Sequence, residues 1–405
     1  MKPVATALMI MLLLVGGANN VRGARGVQTA PTPLAIPFEV ANHLVILKAS
    51  VNRSRPLSFV LDTGASAAIV RMDVARELGL SLFGEVNVRG AGPGAQAGSR
   101  VRNATWSLVG LERVAQPVAM AIPLPELPTA LGRDVDGIVG GEFIRQFVVE
   151  LDYEARMIRF HDPKSFEYSG RGETLPLEFN SNGHPVVTAT VTPSPGASVE
   201  GRFLLDIGSG LPLALHSPFV KEHDLLAGQS KTIRAIGAGG AGGRSAGRLG
   251  RATALRIGSF TIEQPITLFS EDAAGAFADA TLAGNIGAQI ANRFRMFLDY
   301  GRKCLILEPS GTFGKSYDRA FSGVALRAEG ADYRTFRVRE VLEDSPATDA
   351  GFQAGDIITS IDGTGAHDLT LASISELLEK PIAREIVIRR ADQTVRLTLT
   401  PRPLI

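Results

Sequence analysis

FVLDTGAS (residues 59–66) and FLLDIGSG (residues 203–210) are near-copies of one another. Each is an apolar run that ends in Asp-x-Gly and is followed by a small residue. Their acidic residues, Asp62 and Asp206, stand 144 positions apart, 206 minus 62. The similarity extends outward from both. IPFEVANHLVILKASV (36–51) has a partner in LPLEFNSNGHPVVTATV (175–191), and MDVARELGL (72–80) has one in SPFVKEHDLL (217–226). VRGAGPGAQAG (88–98) answers AIGAGGAGGRSAG (235–247). GIVGGEFIRQFVVELDYEARMIRF (137–160) answers GNIGAQIANRFRMFLDYGRKCLIL (284–307). Gly90 and Gly237, Gly140 and Gly287, and Asp152 and Asp299 are each separated by 147 positions. Five blocks held in register imply an internal duplication.

The expected layout is a first lobe over 34–163 and a second over 172–310, joined by the polar stretch Ser169-Gly170-Arg171-Gly172. Within each lobe, short β-branched runs alternate with Gly, Pro and Asn, which predicts strands and turns. Short helices are expected at 73–79 and 142–147. From about residue 322 the pattern changes to strand, short helix, strand, the amphipathic LTLASISELLEK and a terminal hairpin.

Composition excludes some classes of function. Lys plus Arg number 42 against 41 Asp plus Glu, a net charge of +1. That balance offers no electrostatic attraction to nucleic acid or an acidic membrane. The six His residues lack metal-ligand spacing, so neither a metal nor another cofactor is expected. Cys304 is the sole cysteine and has no internal partner; its setting, KCLIL, predicts a buried strand position. Lys2, the apolar run Val4–Val15 and the small residues Gly16 and Ala18 read as a signal peptide over 1–18. The expectation is a periplasmic or secreted bacterial protein with no integral membrane segment once the leader is removed. An uncleaved anchor is the alternative, although the run is short for a bilayer span.

The duplicated Asp-x-Gly turns carry the chemistry. An apolar strand fixes the backbone up to the carboxylate, and Gly64 and Gly208 permit a tight turn and a close approach. Two carboxylates meeting at a pseudo-two-fold axis cannot both ionise easily, so the pair can share one proton. The ionised member can then act as general base on water while the protonated one polarises an amide carbonyl. Asp136, Asp152 and Asp299 read as structural, because Asp136 has Ala283 as its counterpart and the other two sit in strand-turn segments. His184 and His216 flank the second Asp segment without a triad spacing.

These motifs resemble the retropepsin-type aspartic proteases, with FVLDTGAS and GIVG matching one half of the site and FLLDIGSG and NIG the other. The resemblance implies a mainly β protein of two retropepsin/pepsin-like lobes. Asp62 and Asp206 become the catalytic pair, supported by Thr63, Gly64, Gly208 and Ser209. The Gly-rich loops take the place of mobile flaps that contact substrate, through Gly90, Gly92, Gly237 and Gly239. Ile207 departs from the family, which places a Thr there whose hydroxyl helps lock the two turns together. An asymmetric or less rigid pair is therefore expected.

Ser345-Pro346-Ala347, Ala350-Gly351, Gly355-Asp356-Ile357-Ile358 and Ile361-Asp362-Gly363 resemble a bacterial PDZ domain over 322–402. That resemblance implies an α+β module that binds a peptide C-terminus by strand addition. The expected binding edge lies in RTFRVREV, with Tyr333, Arg334, Thr335 and Phe336 as contacts. The whole then reads as an exported aspartic endopeptidase acting on a peptide or protein substrate. With both half-sites on one chain, a monomer is expected to suffice. The alternative is a catalytically silent scaffold that binds extended peptides.

Overall fold

The computed structural model describes residues 33–405 except 91, 93, 109–110, 116–118, 195, 236–238, 241–242 and 318–319. The expected leader, 1–18, lies outside the described residues.

The duplication is visible strand by strand. The first lobe's ten-stranded sheet runs Leu82–Arg89, Ala95–Val101, Ala119–Ile122, Ala68–Arg71, Gly137–Val139, Leu57–Leu61, Leu44–Val51, Thr105–Leu108 and Leu111–Ala115, with Glu39–Ala41 beside Leu44–Val51. The second lobe repeats that order as Ile233–Arg234, Gly247–Arg251, Ile266–Ser270, Leu213–Leu215, Gly284–Gly287, Ala197–Asp206, Pro185–Ser194, Ala254–Ile257 and Phe260–Glu263. Strand-forming runs such as LVILKASV bury alternate or successive apolar residues, as two-sided packing requires. The helices expected at 73–79 and 142–147 form at Met72–Glu77 and Gly141–Ile144.

A six-stranded sheet joins the lobes in the order Leu34–Pro37, Met157–His161, Val148–Asp152, Phe294–Asp299, Cys304–Pro309 and Glu173–Pro176. At its centre Val148–Asp152 runs antiparallel to Phe294–Asp299, with Glu150 opposite Phe297. Those two residues are themselves 147 apart, 297 minus 150, so the pseudo-two-fold axis passes between them. One continuous apolar core fills both lobes, with Phe59, Trp106, Phe143, Phe203 and Phe294 fully buried. Cys304 opens its strand and is half-buried rather than buried as expected, because it lies at the strand's end.

Glu150 is a buried charge on this axis. Arg159 and Arg295 each reach its Oε1 at 2.6 Å, and His161 Nε2 lies 2.8 Å from Oε2. Burial pushes the carboxyl up, but the hydrogen bonds and charges of His161, Arg295 and Arg159 outweigh it and hold it at about 2. Its stabilisation is present above the ordinary value of 4.5 and is lost as pH falls toward about 2. Glu150→Gln should therefore cost about 1.5–3 kcal/mol at neutral pH. It should also flatten the acid limb of stability between those two values, which urea unfolding at a series of pH values measures.

The C-terminal domain has its own core around Phe336, Ile358, Ile374, Ile386 and Ile388. Its sheet order is Val324–Glu329, Thr335–Val341, Ile357–Ile361, Arg384–Arg390 and Gln393–Leu399, with the helix Leu371–Leu378 packed on it. Thr370 caps that helix in a reciprocal capping box with Ser373. One expectation is corrected here. Thr335–Val341 lies inside the sheet, paired to Val324–Glu329 on one side and Ile357–Ile361 on the other. Its backbone cannot accept an added strand; the sheet's edges are Val324–Glu329 and Gln393–Leu399.

Candidate active site

The two Asp-x-Gly turns meet between the lobes, where a Cβ at Gly208 would lie 2.1 Å from Asp62 Cγ. Each follows a strand that pairs in parallel with a glycine-bounded neighbour: Leu57–Leu61 with Gly137–Val139, and Ala197–Asp206 with Gly284–Gly287. Asp62 N donates to Val139 O at 3.0 Å, which ties the first turn to its neighbour. Space explains the glycines. A Cβ at Gly140 would lie 2.4 Å from Ala65 O, and one at Gly287 would lie 1.9 Å from Leu211 O. The backbone of each Asp loop occupies the volume a side chain would need.

Asp62 and Asp206 are side by side and both half-buried: a Cβ added at Gly64 would lie 2.8 Å from Asp206 Oδ1 and 3.2 Å from Asp62 Oδ1. Gly64 N donates to Asp62 Oδ1 at 2.7 Å. The Ala65 amide also supports Asp62, and those of Gly208 and Ser209 support Asp206. Burial, then the charge of Asp206, pushes the Asp62 carboxyl up to about 8. Burial also raises Asp206, opposed first by the Asn285 amide and then by the hydrogen bond from Asp62. The two titrate as one unit.

Asn285 makes the pair unequal. Its Nδ2 donates to Asp206 Oδ2 at 2.9 Å, and its Oδ1 lies 2.8 Å from His216 Nε2. The other ring nitrogen of His216 lies 3.1 Å from the Asp279 carbonyl oxygen. His216 and Asn285 are buried, so the amide's orientation is held from behind. The first-lobe counterpart of Asn285 is Ile138, which offers no donor. The charged form of the pair is thereby favoured on Asp206 and the proton on Asp62. Neither His216 nor Asn285 was singled out as functional by sequence. The one signal was the polar substitution in an otherwise apolar glycine-bounded strand.

Thr63 ties the two Asp segments together from the first lobe. Its buried hydroxyl donates to Leu205 O at 2.5 Å and accepts from Ile207 N at 3.0 Å. Ile207 is fully buried and has no hydroxyl to return the contact. The side-chain link between the two Asp segments is therefore one-sided. Thr63→Val should orphan Leu205 O and Ile207 N at about 1–3 kcal/mol each. A urea midpoint unchanged from the parent would show that the bridge contributes nothing.

In the first lobe, Leu82–Arg89 and Ala95–Val101 form an antiparallel hairpin around the glycines expected in a flap. Gly90 O at its tip accepts from Ala276 N of the second lobe at 3.1 Å, and Gly92 at the tip is buried. In the second lobe, Gly237 lies outside the described residues, while Gly239–Gly240 pairs with Gly243–Arg244 in a short hairpin. Asp136 accepts from Ser58 N at 2.7 Å. Asp152 and Asp299 accept from Ala155 N and Arg302 N, each at 2.9 Å, and so organise their turns. Among the described residues no group of three or more His, Cys, Asp or Glu could hold a metal.

The four residues expected to contact a PDZ ligand are not gathered at an edge. Tyr333 Oη donates to Asp134 Oδ1 of the first lobe at 3.0 Å, and Arg334 donates to Leu369 O. Thr335 pairs with Glu329, and Phe336 is fully buried in the domain core.

Comparison with known proteins gives several similarities. An aspartic proteinase from Irpex lacteus is 14% identical, with a TM-score of 0.44, over 70% of this chain and 99% of that one. The HtrA3 PDZ domain bound to a phage-derived ligand (FGRWV) is 21% identical, with a TM-score of 0.19, over 20% of this chain and 85% of that one. "Serine protease HTRA1" of Xenopus laevis is 37% identical over 65 residues, 16% of this chain. This chain spans only 14% of that relative's length. Residues 47–143 match the aspartyl protease family and residues 337–390 the PDZ domain family. The aspartyl protease match thus falls within the first lobe, whose strand order the second lobe repeats, and the PDZ match falls within the C-terminal domain.

Proposed function

We propose that the protein is an exported aspartic endopeptidase in which Asp62 and Asp206 activate one water against a peptide bond. The observation that carries this reading is the adjacent, half-buried carboxylate pair between the duplicated lobes, with both carboxyls raised by burial. Asp206, favoured in its ionised form by Asn285, takes a proton from water. Asp62 carries the shared proton toward the scissile carbonyl oxygen and stabilises the tetrahedral intermediate. The proton gained by Asp206 then goes to the leaving amine, and the pair returns to its starting charge. The flap hairpin that touches Ala276 must lift for an extended substrate to enter. Both carboxylates come from one chain, so a monomer is sufficient. The PDZ domain captures a peptide C-terminus and thereby recruits or regulates.

The test is cleavage of a diverse peptide mixture by the purified protein, read by mass spectrometry from acidic to neutral pH. A statine-type inhibitor should block cleavage and raise the melting temperature, because its hydroxyl takes the position of the attacking water. No cleavage at any pH, together with no inhibitor shift, would favour a peptide-binding scaffold instead.

A further inference from the structure

Val324–Glu329, an edge strand of the PDZ sheet, has no strand on its outer side among the described residues. It is nonetheless covered. The first-lobe helix Glu126–Leu131 packs against it. Gly132, the left-handed residue that ends the helix, sits where an added Cβ would lie 2.7 Å from Leu371 Cβ and 3.5 Å from Ala328 Cβ. Leu371 opens the helix Leu371–Leu378, and Ala328 lies on the edge strand, so the first lobe reaches both walls of one groove. Polar contacts rim the seam: Tyr333 Oη to Asp134 Oδ1 at 3.0 Å, and Arg339 Nη1 to Glu126 Oε2 at 3.5 Å. On the opposite face of the same helix, Leu131 joins a core cluster with Leu44, Val60 and Ala288 of the lobes. The helix also links Ala119–Ile122 to Gly137–Val139, the strand beside Asp62.

This cover is chemically incomplete. A helix cannot extend a sheet, and among the described residues no backbone hydrogen bond joins 126–134 to 324–329. Arg339 Nε and Nη2 are buried beside the seam without a hydrogen-bond partner. Such groups lower the net stability of a contact. An extended peptide can pair with the edge strand, which the helix cannot do.

We propose that Glu126–Gly132 is a built-in occupant of the PDZ peptide groove. An extended peptide with an apolar residue at its free C-terminus binds by displacing it. Displacement frees the PDZ domain from the first lobe. It also loosens the ion pair between the second-lobe hairpin and the PDZ sheet, Arg244 to Glu340 at 3.0 Å. Peptide capture is thereby coupled to a helix that connects two strands of the catalytic lobe. The apparent affinity of the closed protein is reduced by the fraction of molecules with the groove open. The inference rests on the peptide-capture reading of the PDZ domain and is independent of the carboxylate pair.

The test uses the full chain with Asp62→Asn, to prevent hydrolysis. Gly132→Ala adds a Cβ that would lie 2.7 Å from Leu371 Cβ, so it pries the helix off the groove from the lobe side. A separate variant, Glu126→Lys with Asp134→Lys, reverses exposed charges on the lobe side and leaves the groove's own residues intact. The probe is a fluorescein-labelled pentapeptide pool ending in free Val, Leu or Phe, with a C-terminally amidated pool as control. Both variants should bind the free-carboxylate pool more tightly than the parent, by about tenfold for Gly132→Ala. Equal binding by the parent and both variants would overturn the cover while leaving peptide capture standing. Binding by none of them would remove peptide capture itself, with no bearing on Asp62 and Asp206.

Discussion

Asp62→Asn and Asp206→Asn should each abolish peptide cleavage, by about 10³-fold or more, and each should melt above the parent at pH 8. The first effect follows because the two carboxyls act as a unit, so either loss removes most of the acid–base assistance. The second follows from burial. A carboxyl raised to about 8 in the folded protein stays protonated where the unfolded chain has ionised, from about pH 4 upward. The folded state then binds more protons, and stability declines as pH rises from about 4 to about 8 before levelling. Asparagine cannot ionise and should erase most of that slope. Calorimetry at pH 5 and pH 8, beside cleavage of the best substrate, measures both. Cleavage retained by either variant would rule out the shared-proton mechanism. An unaltered pH slope would show that the pair is not desolvated as its surroundings require.

Gly208→Ala is expected to be the most damaging substitution that leaves every carboxylate in place. Its Cβ would lie 2.1 Å from Asp62 Cγ and 2.2 Å from Asp62 Oδ1, so Asp62 must move. A displacement approaching an ångström at a reacting group costs about 100-fold in rate. The overpacked turn should also lose about 1–3 kcal/mol of stability. Gly64→Ala meets Asp206 Oδ1 at the longer distance of 2.8 Å and should be milder in both respects. Measuring kcat/KM and urea midpoints for the two variants tests the order. A Gly208→Ala protein as active as the parent would mean that the carboxylates do not need their observed separation.

The duplication was legible because it is written in residue types that local physics demands twice: apolar strand, Asp, Gly. The constant offset of 147 even anticipates the axis, since Glu150 and Phe297 pair across it. The unequal setting of the two carboxylates was only half legible. Ile207 announced a missing hydroxyl, but the compensating donor is Asn285, held by His216 from a segment 69 positions away. Glu150 looked like one more charged strand residue until Arg159, Arg295 and His161 converged on it from the neighbouring strands. The PDZ edge was misplaced because two consecutive strands with similar alternation cannot be ranked as inner or outer from their own residues. Which is the edge depends on where Ile357–Ile361 returns to pair, a long-range fact.

By itself the sequence determined the repeated lobes, the two acidic turns, the flap-like glycine hairpins and the C-terminal module, because each follows from local pattern and register. The tertiary structure alone decided which carboxylate has a side-chain amide donor, that Thr63 ties the two Asp segments together, and that a first-lobe helix lies on the PDZ edge. Those properties depend on which surfaces are pressed together and which polar groups lose water when they meet. Residues far apart in the chain set both, and no local pattern records them.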